Sequence, residues 1–468
     1  MSGVDVNDIH SQLNPTTVDR VVPVDSLEAI QSAIATAQSE GKSLSIAGGR
    51  HAMGAQQFGS DTILMDTVPL NRVLDFDADA GLITVEAGIY WPELIAAMRQ
   101  AAPAHPSQWA IAQKQTGGDR MSMGGALAAN VHGRGLRMRP IIADVESFVL
   151  VDANGNALNC SRSENSELFR LVVGGYGLFG VVYSVTLRLV PRQKLQRTVT
   201  VIEIDELMPA FAQRIEEGFL YGDFQYSIDD SSEGYLAKGV FSCYRPVAPD
   251  TPIPEEQREL SVDDWRRLIL FAHVNKPQAF EQYVAHYLAT DGQIYWSDLH
   301  QLGYYEESYH RMLDQYVGAA APATEVITEV YVPRQSLAAF MRDVREDFQQ
   351  NKTEVVYGTI RLVERDEESF LAWARENFAC VIFNLHVSHT PEGQESAAAA
   401  FRRLIDRAIQ FGGSYYLTYH KHATRAQVEE CYPQLPEFLR LKRRYDPGER
   451  FQSDWYRHYA AMFADSMG

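Results

Sequence analysis

The chain has 468 residues, 46% of them apolar, which is too long for one compact core and leads to an expectation of two domains able to bury a large cofactor. A formal net charge of −19 opposes the phosphate attraction on which nucleic-acid binding and adsorption to anionic membranes depend, so neither partner is expected. No stretch reaches the roughly 18 consecutive apolar residues of a membrane-spanning helix. Residues Met1 to Arg20 lack the basic start and apolar centre of a secretory signal, and Cys160, Cys243, Cys380 and Cys431 have no paired spacing, so the expectation is a cytoplasmic protein with reduced thiols and no metal site.

In chain order, Ser26 to Gly41 has a helical apolar period between a capping Ser and a closing Gly, and Ser43 to Ala47 reads as a short strand running into a glycine-bearing turn. Asp61 to Asp66 and Leu82 to Glu86 are further strand candidates; Tyr90 to Ala102, with Pro92 in its first turn, is a helix candidate. Val145 to Asp152, closed by Ala153-Asn154-Gly155-Asn156, reads as strand and turn, Glu167 to Val172 as helix, and Val181 to Leu189 as a β-branched alternating strand. Beyond Pro191 longer strands such as Glu325 to Val332 and Val381 to Val387 alternate with amphipathic helices such as Ser336 to Gln350. The last segment has a turn at Asp446-Pro447-Gly448 and no strand pattern.

Three segments carry chemistry. Ser45 to Gln57 (SIAGGRHAMGAQQ) runs from a strand into Gly48-Gly49 and Gly54, and the backbone amides of such a loop can face a pyrophosphate with no side chains in the way. His51 lies in its middle; on composition alone a tight turn with an incidental His competes with this reading. Gly117 to Gly135 (GGDRMSMGGALAANVHGRG) is too small-sided for an ordinary core, so a large flat group is expected against its backbone, with Ser122 and Asn130 offering hydrogen bonds and His132 a donor or cation. Gly175 to Gly180 (GYGLFG) matches the Rossmann glycine string, but a helix precedes it and a strand follows, the reverse of the dinucleotide turn, which excludes NAD.

In this order and spacing the three segments resemble the FAD-binding domain of the vanillyl alcohol oxidase / p-cresol methylhydroxylase (PCMH) flavoprotein family, over roughly Val21 to Val190. The resemblance implies an α+β chain with a PCMH-type FAD-binding domain at 1–197, an α+β substrate or cap domain with an antiparallel sheet at 198–424, and a C-terminal segment at 425–468 returning to the FAD domain. It implies FAD held by Ala47, Gly48, Gly49, Arg50, His51, Ala52, Met53 and Gln56, by Gly118, Ser122, Gly124, Gly125, Asn130, His132 and Gly133, and by Gly180 and Val182. His51 falls on the histidine that in many relatives is covalently bonded to the flavin, and Ala52 stands where Ser is common. Doubly linked relatives use a Cys in the second segment; Gly117 to Gly135 has none, so a single bond is implied.

The second domain is similar, more diffusely, to that of the sugar-lactone and alditol oxidase branch. Tyr357 to Arg361 resembles a strand that reads Glu-x-Arg and points at the flavin; Arg361 matches and Thr359 replaces the Glu. Asn384 and His386 alternate onto one face of their strand. Tyr419-His420-Lys421 resembles a segment ending in a Lys near the flavin, and Tyr445 to Asp454 resembles the family's C-terminal return, an ending shared with relatives that oxidise a polyprenyl-phosphate-linked sugar. The implied activity is FAD-dependent oxidation of a CH–OH group on a small sugar, polyol, lactone or alcohol by hydride transfer to flavin N5, with O2 as acceptor and Arg361, His386, Lys421 and Asn384 as catalytic candidates. Two alternatives stand beside it: a dehydrogenase using a quinone or protein acceptor, with a lipid-linked sugar as substrate, and a flavin-binding protein without enzymatic activity. The pairs His386/His389 and His420/His422 lack a carboxylate pattern and read as no metal site. Tyr304, Tyr305, Tyr309 and Tyr316 read as packing; Arg134, Arg137 and Arg139 face either the FAD phosphates or solvent. Substrate, acceptor and oligomeric state stay open.

Overall fold

The computed structural model describes residues 3–101, 108–304, 306 and 308–466; Ala102 and Tyr305 of the expectations above lie outside the described residues. The chain opens with a two-stranded ribbon, β1 (Val4–Val6) and β2 (Thr16–Val18). A small parallel sheet follows from β3 (Arg20–Pro23), β4 (Leu44–Ala47) and β5 (Ile63–Asp66), in the order β3-β5-β4. Helix α1 (Leu27–Ser39) links β3 to β4 and starts where the Ser26 hydroxyl accepts from the Ala29 amide at 3.2 Å. Its buried positions Ile30, Ala33, Ile34 and Ala37 form one helical stripe, packed with Leu44, Ile63 and Met65 of the sheet. Each large aliphatic so buried contributes roughly 1.5–3 kcal/mol.

The chain continues through β6 (Val73–Asp77), β7 (Leu82–Glu86), α2 (Trp91–Ala101), β8 (Trp109–Ala110), α3 (Met123–Ala129), β9 (Val145–Val151), β10 (Ala157–Ser161), α4 (Ser166–Val172), β11 (Val181–Arg188) and β12 (Val190–Pro191). Five of these strands form an antiparallel sheet in the order β10-β9-β11-β7-β6, while β8 pairs with β12. Part of the glycine-rich Gly117–Gly135 run is therefore helical. Ser122 caps α3 through a 3.2 Å bond from the Gly125 amide, and Asn130 ends it in the left-handed region at φ 50°. Ala and Leu favour the helix, and Gly124 lets it lie close to β7, since a Cβ there would sit 3.1 Å from that of Ala87.

The second half adds β13 (Lys194–Glu203), α5 (Ile204–Glu216), β14 (Tyr221–Tyr226), β15 (Lys238–Pro246), α6 (Val262–Val274), α7 (Lys276–Leu288), β16 (Ile294–Trp296), α8 (Tyr309–Val317), β17 (Ala323–Pro333), α9 (Leu337–Asn351), β18 (Val355–Val363), β19 (Phe378–Ser388), α10 (Pro391–Gln410) and β20 (Ser414–Tyr415). The strands make one eight-stranded sheet in the order β16-β13-β15-β14-β18-β19-β17-β20, antiparallel throughout. The period of two divides its faces: Phe383 packs on Phe348 of α9, while Ile382 and Asn384 face an internal cavity. The chain is thus α+β, as its patterning predicts.

Three helices close the chain, α11 (Arg425–Cys431), α12 (Leu435–Tyr445) and α13 (Asp454–Met462). Between the last two, Asp446 receives the Arg450 and Phe451 amides, each at 2.8 Å, and pairs with buried Lys442 at 2.7 Å. The turn so fixed lays Phe451 parallel to Leu44, with Leu44 donating to the Arg450 carbonyl and Gln452 to that of Leu44. Among the described residues no helix is long and apolar enough to cross a membrane.

Candidate active site

The loop after β4 and the segment leading into α3, far apart in sequence, are in contact. A Cβ at Gly48 would lie 2.1 Å from the Ser122 hydroxyl oxygen, and one at Gly49 would lie 2.2 Å from the Arg120 carbonyl oxygen, so the two backbones approach to a distance no side chain allows. Arg50 turns the loop at φ 57° and pairs with Asp66 at 3.5 Å; Gln56 ties it to the Thr418 carbonyl at 2.7 Å. Against these segments lies an elongated cleft, floored by Gly177 to Gly180 where α4 gives way to β11 and walled by Tyr416, Thr418 and Tyr419. Of the residues assigned to the cofactor from sequence, Gly48, Gly49, Arg50, His51, Ala52, Gln56, Ser122, Gly124, Gly125, Gly180 and Val182 line it.

The remaining six lie elsewhere. Ala47 is buried in β4, where its carbonyl takes the Thr67 amide and hydroxyl. Met53 and Gly118 face the neighbouring cavity. Asn130 spends its side chain on Asp366 at 2.8 Å, Ser369 at 3.2 Å and the Ile142 amide at 3.1 Å, holding the end of α3 in place. Gly133 is packed beside the Lys114 carbonyl, and His132 is buried with Nε2 2.6 Å from Glu329 Oε1. Asn130, His132 and Gly133 share a segment with the cleft, but the residue of that stretch that lines it is Val131.

A second cavity, with a volume of about 780 Å³, adjoins the cleft and shares His51, Gln115, Met121 and Tyr419 with it. Its walls come from the eight-stranded sheet and from α6 and α7. Arg361 reaches it from β18; the residue is 3% exposed, and its Nε and Nη1 have no hydrogen-bond partner among the described residues. Asn384 reaches it from β19 with its Oδ1 likewise unpartnered. Buried polar atoms cost free energy unless satisfied, so the wall of the cavity carries an unmet cost at both residues.

Two catalytic expectations are corrected. His386 shares the strand face of Asn384 but does not line the cavity, because its Nδ1 is engaged with Glu325 at 3.1 Å. Lys421 lines neither cleft nor cavity; burial depresses its pKa, with Asp454 opposing. The residue of that segment at the wall is Tyr419, two positions earlier. Its hydroxyl stands 3.4 Å from both Glu329 Oε2 and Gln115 Nε2. Glu329 is fully buried on β17, taking the Tyr331 hydroxyl at 2.5 Å and the Cys380 thiol at 3.2 Å. Burial pushes its pKa up, but His132 and the donors around it outweigh that and hold it below the usual value. Glu329 and Thr359 both pair with Ile382, from opposite sides of β19, so a carboxylate lies on the sheet face of Thr359, two strands away.

His51 stands where cleft and cavity meet. Burial, with lesser contributions from His10 and Arg120, lowers its pKa to about 4, leaving a neutral imidazole at pH 7. Of the three arginines left open by sequence, Arg134 faces the cavity while Arg137 and Arg139 are exposed. Tyr304 and Tyr309 line the cavity, and Tyr316 is exposed. His420 stacks on Phe401 with ring centres 4.3 Å apart.

Comparison with known proteins agrees with this geometry. Residues 18–161 match the family described as FAD binding domain. The chain is 28% identical over 183 residues to L-gulonolactone oxidase of Bos taurus, covering 39% of this chain and 40% of that one. It is 24% identical over 408 residues to L-gulono-1,4-lactone dehydrogenase of Mycobacterium tuberculosis, covering 85% and 86%. It is 29% identical over 206 residues to mitochondrial L-galactono-1,4-lactone dehydrogenase 2 of Oryza sativa, covering 43% and 34%. The chain therefore spans less than half the length of the bovine and rice relatives in these matches. It carries the FAD-binding domain that its loops imply, with sugar-lactone oxidases and dehydrogenases among its relatives.

Proposed function

We propose that this flavoprotein oxidises a CH–OH group of a sugar-type substrate, a lactone or a larger glycosidic relative, held in the cavity beside its FAD-binding cleft. The observation that carries the reading is the buried Arg361, a guanidinium in the wall of a cavity that adjoins the cleft. The narrow approach of Gly48 and Gly49 to the segment at Arg120–Ser122 leaves backbone, not side chains, along the cleft, which fits a dinucleotide. FAD, when bound, supplies the hydride acceptor. Residues 1–197 supply most of the cleft that holds it, residues 198–424 most of the cavity, and residues 425–468 brace the first unit through Phe451.

Arg361 and Asn384 orient substrate oxygens, the guanidinium as a charged donor and the amide oxygen as an acceptor. Tyr419 is kept a neutral phenol, since burial and then the Glu329 charge raise its pKa well above the ordinary value. It can accept a hydrogen bond from the substrate hydroxyl and orient it, with Gln115 and Glu329 holding the phenol in place. The aromatic walls from Trp265, Tyr283 and Trp296 exclude water and offer faces to a sugar ring. A cavity of about 780 Å³ lies within the ordinary range for a small-molecule site. O2 is the proposed acceptor, tested by peroxide formation under air; reduction of a quinone without peroxide would assign the dehydrogenase alternative. Four buried, unbridged cysteines fit a reducing, cytoplasmic setting.

We place covalent attachment at His51, whose neutral ring nitrogen at the junction is the form able to bond. Acid precipitation should give a yellow wild-type pellet one FAD heavier than the chain and a colourless His51→Ala pellet. A colourless wild-type pellet with a yellow supernatant would remove the covalent bond and keep the cofactor, and no flavin in either fraction would end the functional reading.

A further inference from the structure

Outside the flavin and substrate site, four elements converge on one carboxylate. Glu325 lies at the start of β17, paired in register with His386 of β19. Helix α6 brings His273 and the start of α8 brings Tyr309. Glu325 Oε1 is 2.9 Å from His273 Nε2 and 3.1 Å from His386 Nδ1, and Oε2 accepts from the Tyr309 hydroxyl. The two imidazole planes are inclined at 77°, and the three ligand atoms lie within 4.8 Å of one another.

The other nitrogen of His273 decides what this cluster is for. Nδ1 lies 2.8 Å from the Ile269 carbonyl oxygen, which can only accept, so Nδ1 carries the ring proton. In the neutral ring Nε2 then presents a lone pair to a carboxylate oxygen that also has only lone pairs. Two such atoms at 2.9 Å repel unless a cation lies between them, either a proton on Nε2, as the same geometry at His132 and Glu329 allows, or a metal ion. An imidazole that donates one N–H to a backbone carbonyl and turns the other nitrogen toward a carboxylate has the second-sphere arrangement of a metal-ligating histidine.

We propose that His273, Glu325 and His386 bind one divalent transition-metal ion of the zinc class, with two imidazole nitrogens and one carboxylate oxygen as ligands and a remaining position open to the cavity that His273 lines.

The ion would act as a clasp. Helix α6 has no buried residue and α8 only His310 and Leu313, because α6 and Tyr309 face the cavity and not a packed core. Fastening His273 to the sheet end substitutes for that missing packing and holds the cavity cover closed.

The test uses the full chain with its flavin, stripped by chelator, reloaded with Zn2+ or Co2+ and gel-filtered, with metal per chain read by plasma mass spectrometry and Co2+ ligation by visible absorption. One ion per chain is expected, with Co2+ ligand-field bands and a higher melting temperature than the stripped form. His386→Ala and His273→Gln should each bind at least about tenfold more weakly and lose the bands, whereas His389→Ala should keep both. Retained flavin absorbance reports that each variant is folded. A wild type that keeps no ion, or folded His386 and His273 variants that bind as wild type does, overturns the proposal. Metal stoichiometry does not depend on substrate, so this result and the substrate assays fail separately.

Discussion

Replacing Arg361 by Met should lower activity and raise stability. Among the described residues its Nε and Nη1 donors are buried without partners, and each such atom costs about 1–3 kcal/mol. Met keeps most of the aliphatic stem while removing the charge and both donors, so part of that cost returns, offset by imperfect packing; the net gain is about 1–3 kcal/mol. With an unfolding entropy of roughly 2.1 cal/mol/K per residue, a chain this long gains about 1 °C in Tm per kcal/mol, so a rise of roughly 1–3 °C is expected. Substrate loses a charge-assisted hydrogen bond worth about 1.5–3 kcal/mol, equivalent to roughly a 10–150-fold slower flavin reduction at limiting substrate. Anaerobic stopped-flow bleaching against a panel of sugar lactones, polyols and glycosides, with thermal scans of the same preparations, reads both quantities. Arg361→Lys should fall between, keeping charge without the planar fork. A Met variant that melts lower and reduces at the wild-type rate would refute the reasoning, because Arg361 would then be a structural group whose partner lies in the fold.

Tyr419→Phe should leave flavin content intact and slow its reduction by substrate by about 100-fold or more, the usual scale for a positioned acid–base group, whereas Lys421→Met should stay within about twofold of wild type. Equal losses in the two variants, measured in the same stopped-flow experiment, would restore Lys421 to the reaction. Asp144 supplies a pH dependence: burial, opposed by the hydrogen bond from Gln113, raises its pKa from 3.8 to about 7. A carboxyl raised in the fold favours the folded state below its unfolded pKa and loses that contribution as pH rises through the folded value. Stability should therefore fall between about pH 4 and pH 8, by at most about 4 kcal/mol, and Asp144→Asn should flatten that slope in urea titrations across the range.

Much of the nucleotide-binding half was legible in sequence because its signals are local. Ser26 and Gly41 bracket α1, β-branched alternation marks β11, and the positions where Gly48 and Gly180 allow close backbone approach are read from neighbouring residues alone. The order of helix, GYGLFG and strand likewise separated this cleft from a Rossmann turn before any contact was known. The substrate side was legible only in part. Period-two alternation put Asn384 and His386 on one face, but whether each meets the cavity depends on Glu325, a cross-strand neighbour sixty-one positions away in sequence, which takes His386 for itself.

Motif position was misleading at Lys421 for a related reason. The segment after β20 is not a regular strand, so no fixed period tells which residue faces inward, and Tyr419 holds the wall while Lys421 lines neither cleft nor cavity. The Glu329–His132–Tyr419 group and the His273–Glu325–His386 cluster have no sequence signature at all, since each gathers residues from three separate elements. Sequence by itself indicated a backbone able to meet a pyrophosphate, because that binding relies on short-range absences of side chains, and its family resemblance implied FAD. Only the tertiary structure decided which charged groups face the substrate, because that depends on strand register and on which buried partner satisfies each polar atom.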